Sequence, residues 1–138
     1  MNQIEDVRLI ELPRHARADG EVVVAEVAVQ VPFRIERIFT LTAPASAKRG
    51  RHAHRLCSQF MICVSGAVNV VCDDGSKQQT FMLDRRDRAL LVPSGIWNTV
   101  IFPYDGSVVA VLCDRPYEQH DYIRDYAEFL SSRGSVQV

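Results

Sequence analysis

Two histidines one residue apart, His52 and His54, lie in the stretch Arg49-Gly50-Arg51-His52-Ala53-His54. On an extended chain the side-chain direction alternates with period two, so both imidazoles point to the same face and line one pocket. Imidazole titrates near neutral pH, which suits such a pair to taking and returning protons. The same pair could hold a metal ion, but a mononuclear centre needs a third and usually a fourth ligand. The cysteines do not offer them in a recognisable pattern. Cys57, Cys63, Cys72 and Cys113 contain no C-x-x-C pair, and three of them sit in apolar runs such as Met61-Ile62-Cys63-Val64. They read as small buried thiols in a reducing compartment. Arg49, Arg51 and Arg55 flank the histidines, and Gln59 and Gly66 follow them.

The elements that must position these residues are mostly short strands. β-type runs cover Glu21 to Val29, Phe33 to Thr42, Gln59 to Val64, Ala67 to Cys72, Gln79 to Leu83, Ala89 to Val92, Trp97 to Phe102 and Ser107 to Leu112. Turn signals separate several of them: Asp73-Asp74-Gly75, Pro93-Ser94-Gly95 and Pro103-Tyr104-Asp105-Gly106. Many short strands with no helix-length periodic segment among them predict an all-β sandwich or barrel over about 20–114. Only the end differs. Tyr122, Tyr126, Phe129 and Leu130 recur at helical spacing, which predicts one C-terminal helix over about 121–131 with Asp121 as its N-cap.

At 138 residues the chain is one domain, 1–138, with no internal repeat or linker. Its 17 acidic and 16 basic residues give a net charge of −1, and no like-charge block marks it for nucleic acid or an anionic membrane surface. No apolar run approaches the roughly 18 residues of a spanning helix, and Met1 to Arg14 lacks a signal-peptide core. A cytoplasmic protein is expected.

A His-x-His on a β-barrel is half of the metal signature of the cupin superfamily, in which a Glu follows the pair and a further His follows a Pro-x-Gly turn. Here Gln59 stands at the first position. In Pro93-Ser94-Gly95-Ile96-Trp97-Asn98, Asn98 stands at the second. Amides are poor substitutes for carboxylate and imidazole at a transition metal. The chain therefore resembles a cupin jelly roll, a double-stranded β-helix barrel, without a metal, and no cofactor is expected.

Within that superfamily, Arg49-Gly50-Arg51-His52-Ala53-His54 resembles the segment that marks the sugar 3,4-ketoisomerases, the WxcM-like cupins acting on dTDP-4-keto-6-deoxyglucose. Further similarities follow in order. They are Pro32-Phe33-Arg34-Ile35-Glu36-Arg37-Ile38, the strand Val70 to Gly75 ending in Asp-Asp-Gly, the turn into Trp97, and the tail from Tyr117 to Tyr126. The related dTDP-sugar 3,5-epimerases also carry an Arg-Gly-x-His.

The resemblance implies a shift of the ketone from C4 to C3 of a dTDP-linked 4-keto-6-deoxyhexose through an enediol, in deoxyamino sugar biosynthesis. Either His52 or His54 could be the base; position-by-position matching favours His52, with His54 orienting it or shuttling a proton. Arg37 is a donor to the developing oxyanion if it faces inward with Phe33, Ile35 and Phe39; otherwise it pairs with an acid such as Glu26. Arg49 is the first choice for the diphosphate, and Trp97 either stacks on a base or sugar or belongs to the core. Asp19 and Asn98 occupy places where relatives carry Arg or Tyr, and His or Arg. With Gln59 they are expected to contact substrate, and Asp19 and Asn98 to govern the C4 epimer. Phe39 and Thr40 replace a Tyr-Tyr pair. The resemblance also implies a homodimer with exchanged N-terminal strands. Competing functions are a nucleotide-sugar 3- or 5-epimerase and a non-catalytic sugar-nucleotide-binding cupin.

Overall fold

The computed structural model describes residues 1–134; residues 135–138, which the sequence reading includes in its one domain, lie outside the described residues. Twelve strands run in chain order as β1 Arg8–Glu11, β2 Arg14–Arg17, β3 Gly20–Val23, β4 Arg37–Thr42, β5 Lys48–His54, β6 Gln59–Ser65, β7 Val68–Asp73, β8 Gln78–Leu83, β9 Arg88–Val92, β10 Trp97–Ile101, β11 Val108–Cys113 and β12 Tyr122–Ile123. One α-helix, α1 Tyr126–Ser132, closes the described chain. The strands form two five-stranded sheets, ordered β1-β9-β6-β11-β4 and β12-β5-β10-β7-β8, with β2 and β3 as a separate hairpin. The fold is the cupin-like jelly roll with a short C-terminal helix that the strand pattern and the histidine motif predict.

Alternation along the strands builds the space between the sheets. Met61 and Cys63 of β6, Val68, Val70 and Cys72 of β7, Val100 of β10 and Val109 and Val111 of β11 meet there in one buried cluster. A second cluster lies on the outer face of the first sheet. There Phe60, Ala89, Leu91 and Leu112 are covered by Leu12 and Val31, with Val23, Phe33 and Ile35 packed against them. A third, on the outer face of the second sheet, joins Ala53, Ile123 and Phe129, with Trp97 and Leu130 against it.

Three expectations change. The run from Phe33 to Thr42 is strand only from Arg37 on. Phe33 and Ile35 pack outward against the first sheet, whereas Phe39 packs inward against the main core. Pro32 and the crossover between layers end the alternation that the sequence carries on paper. Likewise β3 stops at Val23, and Ala25 belongs to the covering segment and not to a longer strand. Upstream, β1 pairs with β9 from Arg8 to Glu11, so the first sheet begins before residue 20.

The helix is also shorter than predicted. It starts at Tyr126, and its cap is Asp125, whose side chain accepts the Ala127 N–H at 3.0 Å. Tyr126 Oη donates to Asp73 at 2.6 Å, and Phe129 is fully buried beside Trp97. These contacts press α1 against the second sheet and hold β12 beside β5. Replacing Phe129 by Ala leaves a cavity under α1 and should lower stability by about 3–5 kcal/mol, read as a fall in the urea midpoint at unchanged slope.

Candidate active site

The two sheets separate at one end around a cavity of about 550 Å³, within the range of small-molecule sites. Strand pairing sets two rows of side chains across it. On the first sheet, Cys113 of β11 lies in register with Gln59 of β6 on one side and Arg37 of β4 on the other. On the second sheet, His52 of β5 lies opposite Asn98 of β10, and His54 lies opposite Tyr122 of β12. A β-bulge adjusts the second row. Pairing passes from His52↔Asn98 directly to Gly50↔Thr99, so Arg51 is the extra residue, at φ 60 beside Gly50 at φ 81. A Cβ on Gly50 would sit 3.0 Å from the Asn98 carbonyl oxygen, so the close approach of β5 to β10 needs glycine there.

The imidazoles of His52 and His54 lie with centroids 5.0 Å apart, edge to face. Their period-two placement holds, since Ala53 between them faces the outer cluster, but they do not line one pocket as expected: His52 is on the cavity wall and His54 is buried behind it. His54 is 2% exposed, and its Nδ1 is 2.7 Å from Asp121 Oδ2. The other carboxylate oxygen accepts the Leu56 N–H at 2.6 Å. Asp121, expected as a helix cap, is thus the anchor of an imidazole; the 3-10 turn Gln119–Asp121 delivers it into the interior before the helix begins. Tyr122 packs against both rings, 5.0 Å from His52 and 4.3 Å from His54. Sequence reasoning missed both residues, because Tyr122 was placed on the apolar face of a helix. The Asp-Tyr pair following a polar loop was the available signal.

Burial sets the protonation states. It pushes His52 down to about 4, helped by the neighbouring His54 and by Arg124. Burial likewise lowers His54, and the adjacent carboxylate does not reverse it. For Asp121, burial works upward, but hydrogen bonds from His54 and from backbone N–H groups prevail and hold it below its ordinary value. Both rings are therefore neutral at pH 7 beside an ionised carboxylate. With Asp121 accepting from Nδ1–H, the Nε2 of His54 is left as an acceptor.

Arg37 does turn inward, though without Phe33 and Ile35, and it has no ion pair with Glu26. Its Nη2 lies 3.4 Å from Tyr122 Oη and 3.6 Å from Cys113 Sγ. Gln59 and Asn98, each 2% exposed, line the cavity, as do Arg49, Lys48, Arg124, Phe39 and Thr40. Trp97 does not. Its ring packs against Tyr126 and Phe129 on the outer face, the core alternative of its two readings. Asp19 is exposed in the β2–β3 turn and is not among the cavity-lining residues.

Five buried side-chain polar atoms among the described residues have no hydrogen-bond partner: Arg37 Nε, His52 Nδ1, His54 Nε2, Gln59 Oε1 and Asn98 Nδ2. All belong to the two facing rows. Buried polar groups are ordinarily paired, so such a concentration marks a place built for a polar ligand. Its donor set fits a metal poorly, because the positions facing the histidines carry amides. One trio, His54, Cys57 and Asp121, has ligand atoms within 4.8 Å of one another, but the imidazole and carboxylate already bond each other.

Comparison with known proteins identifies relatives of the chain. The family model described as FdtA, WxcM-like, C-terminal, matches residues 5–134. The chain is 29% identical over 123 residues to a TDP-4-oxo-6-deoxy-alpha-D-glucose-3,4-oxoisomerase from Aneurinibacillus thermoaerophilus, covering 88% of each chain. It superposes on a 3,4-ketoisomerase from Helicobacter canadensis with TM-score 0.90 at 27% identity, covering 94% of this chain and 98% of that one. A TDP-quinovose 3,4-ketoisomerase from Campylobacter jejuni gives 0.87 at 28%, covering 93% and 99%.

A histidine whose folded pKa lies below its unfolded value stabilises the fold fully above the unfolded pKa, and that stability is lost as pH falls toward the folded one. Unfolding free energy should therefore decline between about 6.5 and about 4. In His52→Asn the decline should be shallower. Denaturant midpoints at a series of pH values measure this, and nitrogen-detected NMR should show His52 neutral down to the lower end of that window.

Proposed function

The chain belongs to the FdtA, WxcM-like family, and from that membership we propose that it moves the ketone of a dTDP-linked 4-keto-6-deoxyhexose from C4 to C3. The observation that carries the reading is neutral His52 on the wall of a cavity whose unpartnered polar atoms converge, backed by the buried His54 that Asp121 braces. The C4 ketone acidifies the C3 hydrogen. His52, uncharged and on the cavity wall, takes that proton. The electron pair then moves toward the C4 oxygen and gives an enediolate. Arg37 and the Tyr122 hydroxyl are the donors nearest the rings for that negative charge. Return of a proton at C4, with loss of the O3 proton, completes the exchange of alcohol and ketone. His54 Nε2 is the acceptor for moving a proton between the two oxygens, and Asp121 keeps that nitrogen free by holding the proton on Nδ1. No metal takes part in this scheme.

Support for a nucleotide-sugar diphosphate comes from cations at the cavity wall. Lys48, Arg49 and Arg124 have no carboxylate partner within ion-pair distance among the described residues. A polar anion is their natural complement. Two of the named relatives, those from Aneurinibacillus thermoaerophilus and Campylobacter jejuni, carry TDP-linked sugars in their names, which favours the same class here, and a 3-keto product is a substrate for amination. A cytoplasmic location suits the four free thiols. We also propose that the chain acts as one domain and pairs as a homodimer. The β2–β3 hairpin stands as its own sheet with Val22 exposed and Asp19 at its tip. Exchange of N-terminal strands would carry Asp19 toward a partner's cavity.

Incubation with dTDP-4-keto-6-deoxyglucose in deuterium oxide, followed by NMR, should show a 3-keto product with deuterium at C4, and deuterium at C3 of substrate re-formed by the reverse reaction. Incorporation at C5 would instead indicate an epimerase, and binding without exchange a non-catalytic cupin. His52→Asn should abolish turnover and keep nucleotide affinity. Arg49→Ala should weaken binding by about tenfold, near 1.4 kcal/mol. Asp121→Asn should lower kcat by about a hundredfold or more while the fold, followed by circular dichroism, persists. A monodisperse dimer by light scattering would agree with strand exchange.

A further inference from the structure

Arg37 is a half-buried cation with no carboxylate within ion-pair distance among the described residues, so other neighbours fix its position. Its guanidinium lies between the rings of Phe39 and Tyr117, each 5.6 Å from its carbon. The polar contacts of its Nη2 are Tyr122 Oη and Cys113 Sγ. Cys113 is fully buried and occupies the middle of the row Gln59, Cys113, Arg37, so its sulfur faces the same side of the sheet as both neighbours. The guanidinium donates to that sulfur, whereas the Cys57 thiol donates to the Ser58 carbonyl at 3.4 Å. A buried sulfur that takes a guanidinium N–H, beside an arginine with no carboxylate of its own, suits a thiolate better than a thiol.

We infer that Cys113 is a thiolate counter-ion that positions Arg37, and through it Tyr122, against the imidazole pair. The inference rests on the reaction proposed above for its consequence, though not for the existence of the ion pair. Without the sulfur's charge the guanidinium would keep its aromatic sandwich but lose the ionic contact that sets its reach. The direction of titration agrees. Cys113 is lowered to about 6, by the neighbouring Cys57 and then by Arg37 and Gln59 against the effect of burial. Cys57 is raised by the same contact. Arg37 is raised because the attraction of Cys113 outweighs burial. The groups facing this sulfur are thus Arg37 from β4, Gln59 from β6, Cys57 from the β5–β6 loop and, through Arg37, Tyr122 from β12. Asp114 is a further charge acting on Cys57, and its carboxylate is engaged by the Ser58 N–H. Cys63 and Cys72 are both raised by burial, so Cys113 alone should carry a thiolate near neutrality.

The test begins with the free protein. Ultraviolet thiolate absorbance should correspond to one ionised cysteine at pH 7.5, disappear on titration through about 6, and be lost in Cys113→Ser. In Arg37→Gln it should vanish at pH 7.5 and return only at higher pH. Absence of the signal in the wild type, or its persistence unchanged in Arg37→Gln, would overturn the ion pair. In turnover, Cys113→Ser should lower kcat about tenfold or more with KM changed much less, and should lack the wild-type acid limb near 6. Wild-type kcat with an intact acid limb in that variant would overturn the positioning role. If the wild-type protein fails to convert the keto sugar while the thiolate spectrum behaves as stated, the functional reading falls and the ion pair stands.

Discussion

The site depends on one buried contact, the 2.7 Å hydrogen bond between His54 and Asp121. An ionised carboxylate in the interior is costly unless every oxygen is used. Here one oxygen takes the imidazole proton and the other takes a backbone N–H from the turn that follows β5. Satisfying that carboxylate ties three pieces of chain together: the end of β5, the loop behind it, and the short β12. The carboxylate also decides which nitrogen of His54 carries hydrogen. Stability and tautomer are therefore set by the same interaction, and neither could be changed alone.

Around this anchor the barrel has two unlike halves. Between the sheets, away from the cavity, the side chains are almost all aliphatic, aromatic or sulfur-bearing, and close packing there holds the two layers in place. At the cavity the strands present Arg37, Gln59, His52 and Asn98, with His54 buried behind them, five residues each with a buried polar atom left unpaired. Such atoms weaken a fold, and they persist where surrounding packing over-determines their positions. The Gly50–Arg51 bulge contributes by placing β5 within close reach of Asn98. What this arrangement offers a ligand is a set of preformed partners, neutral at the imidazoles and cationic at the wall. That combination suits removal of a proton beside a carbonyl from an anionic sugar derivative.

The Arg37 row gives the first sheet a part in the chemistry that the histidines alone would not suggest. Charge on the guanidinium is balanced within the protein by sulfur and phenol in place of a carboxylate, which leaves the outer edge of the cation directed to the cavity. A carboxylate in Cys113's place would be a stronger and more localised partner. The softer thiolate leaves more of the arginine's field for the substrate.

Several features could be read from the chain itself. The period-two spacing of His52 and His54 guaranteed a common face once they lay on a strand. Short alternating runs between Gly and Pro turns were enough for an all-β sandwich or barrel, because local alternation and sheet burial obey the same periodicity. Other features were decided only by tertiary contacts. Phe33 and Ile35 share their alternation with Phe39 in the sequence, yet the crossover sends them to opposite sides of the sheet. Trp97 looked equally suited to ligand and core until α1 packed over it. Asp121 and Tyr122 carried helical spacing, but a buried imidazole without a partner outweighs one more turn of an exposed helix. Their roles arise from a pairing across 67 residues, which no local periodicity can express.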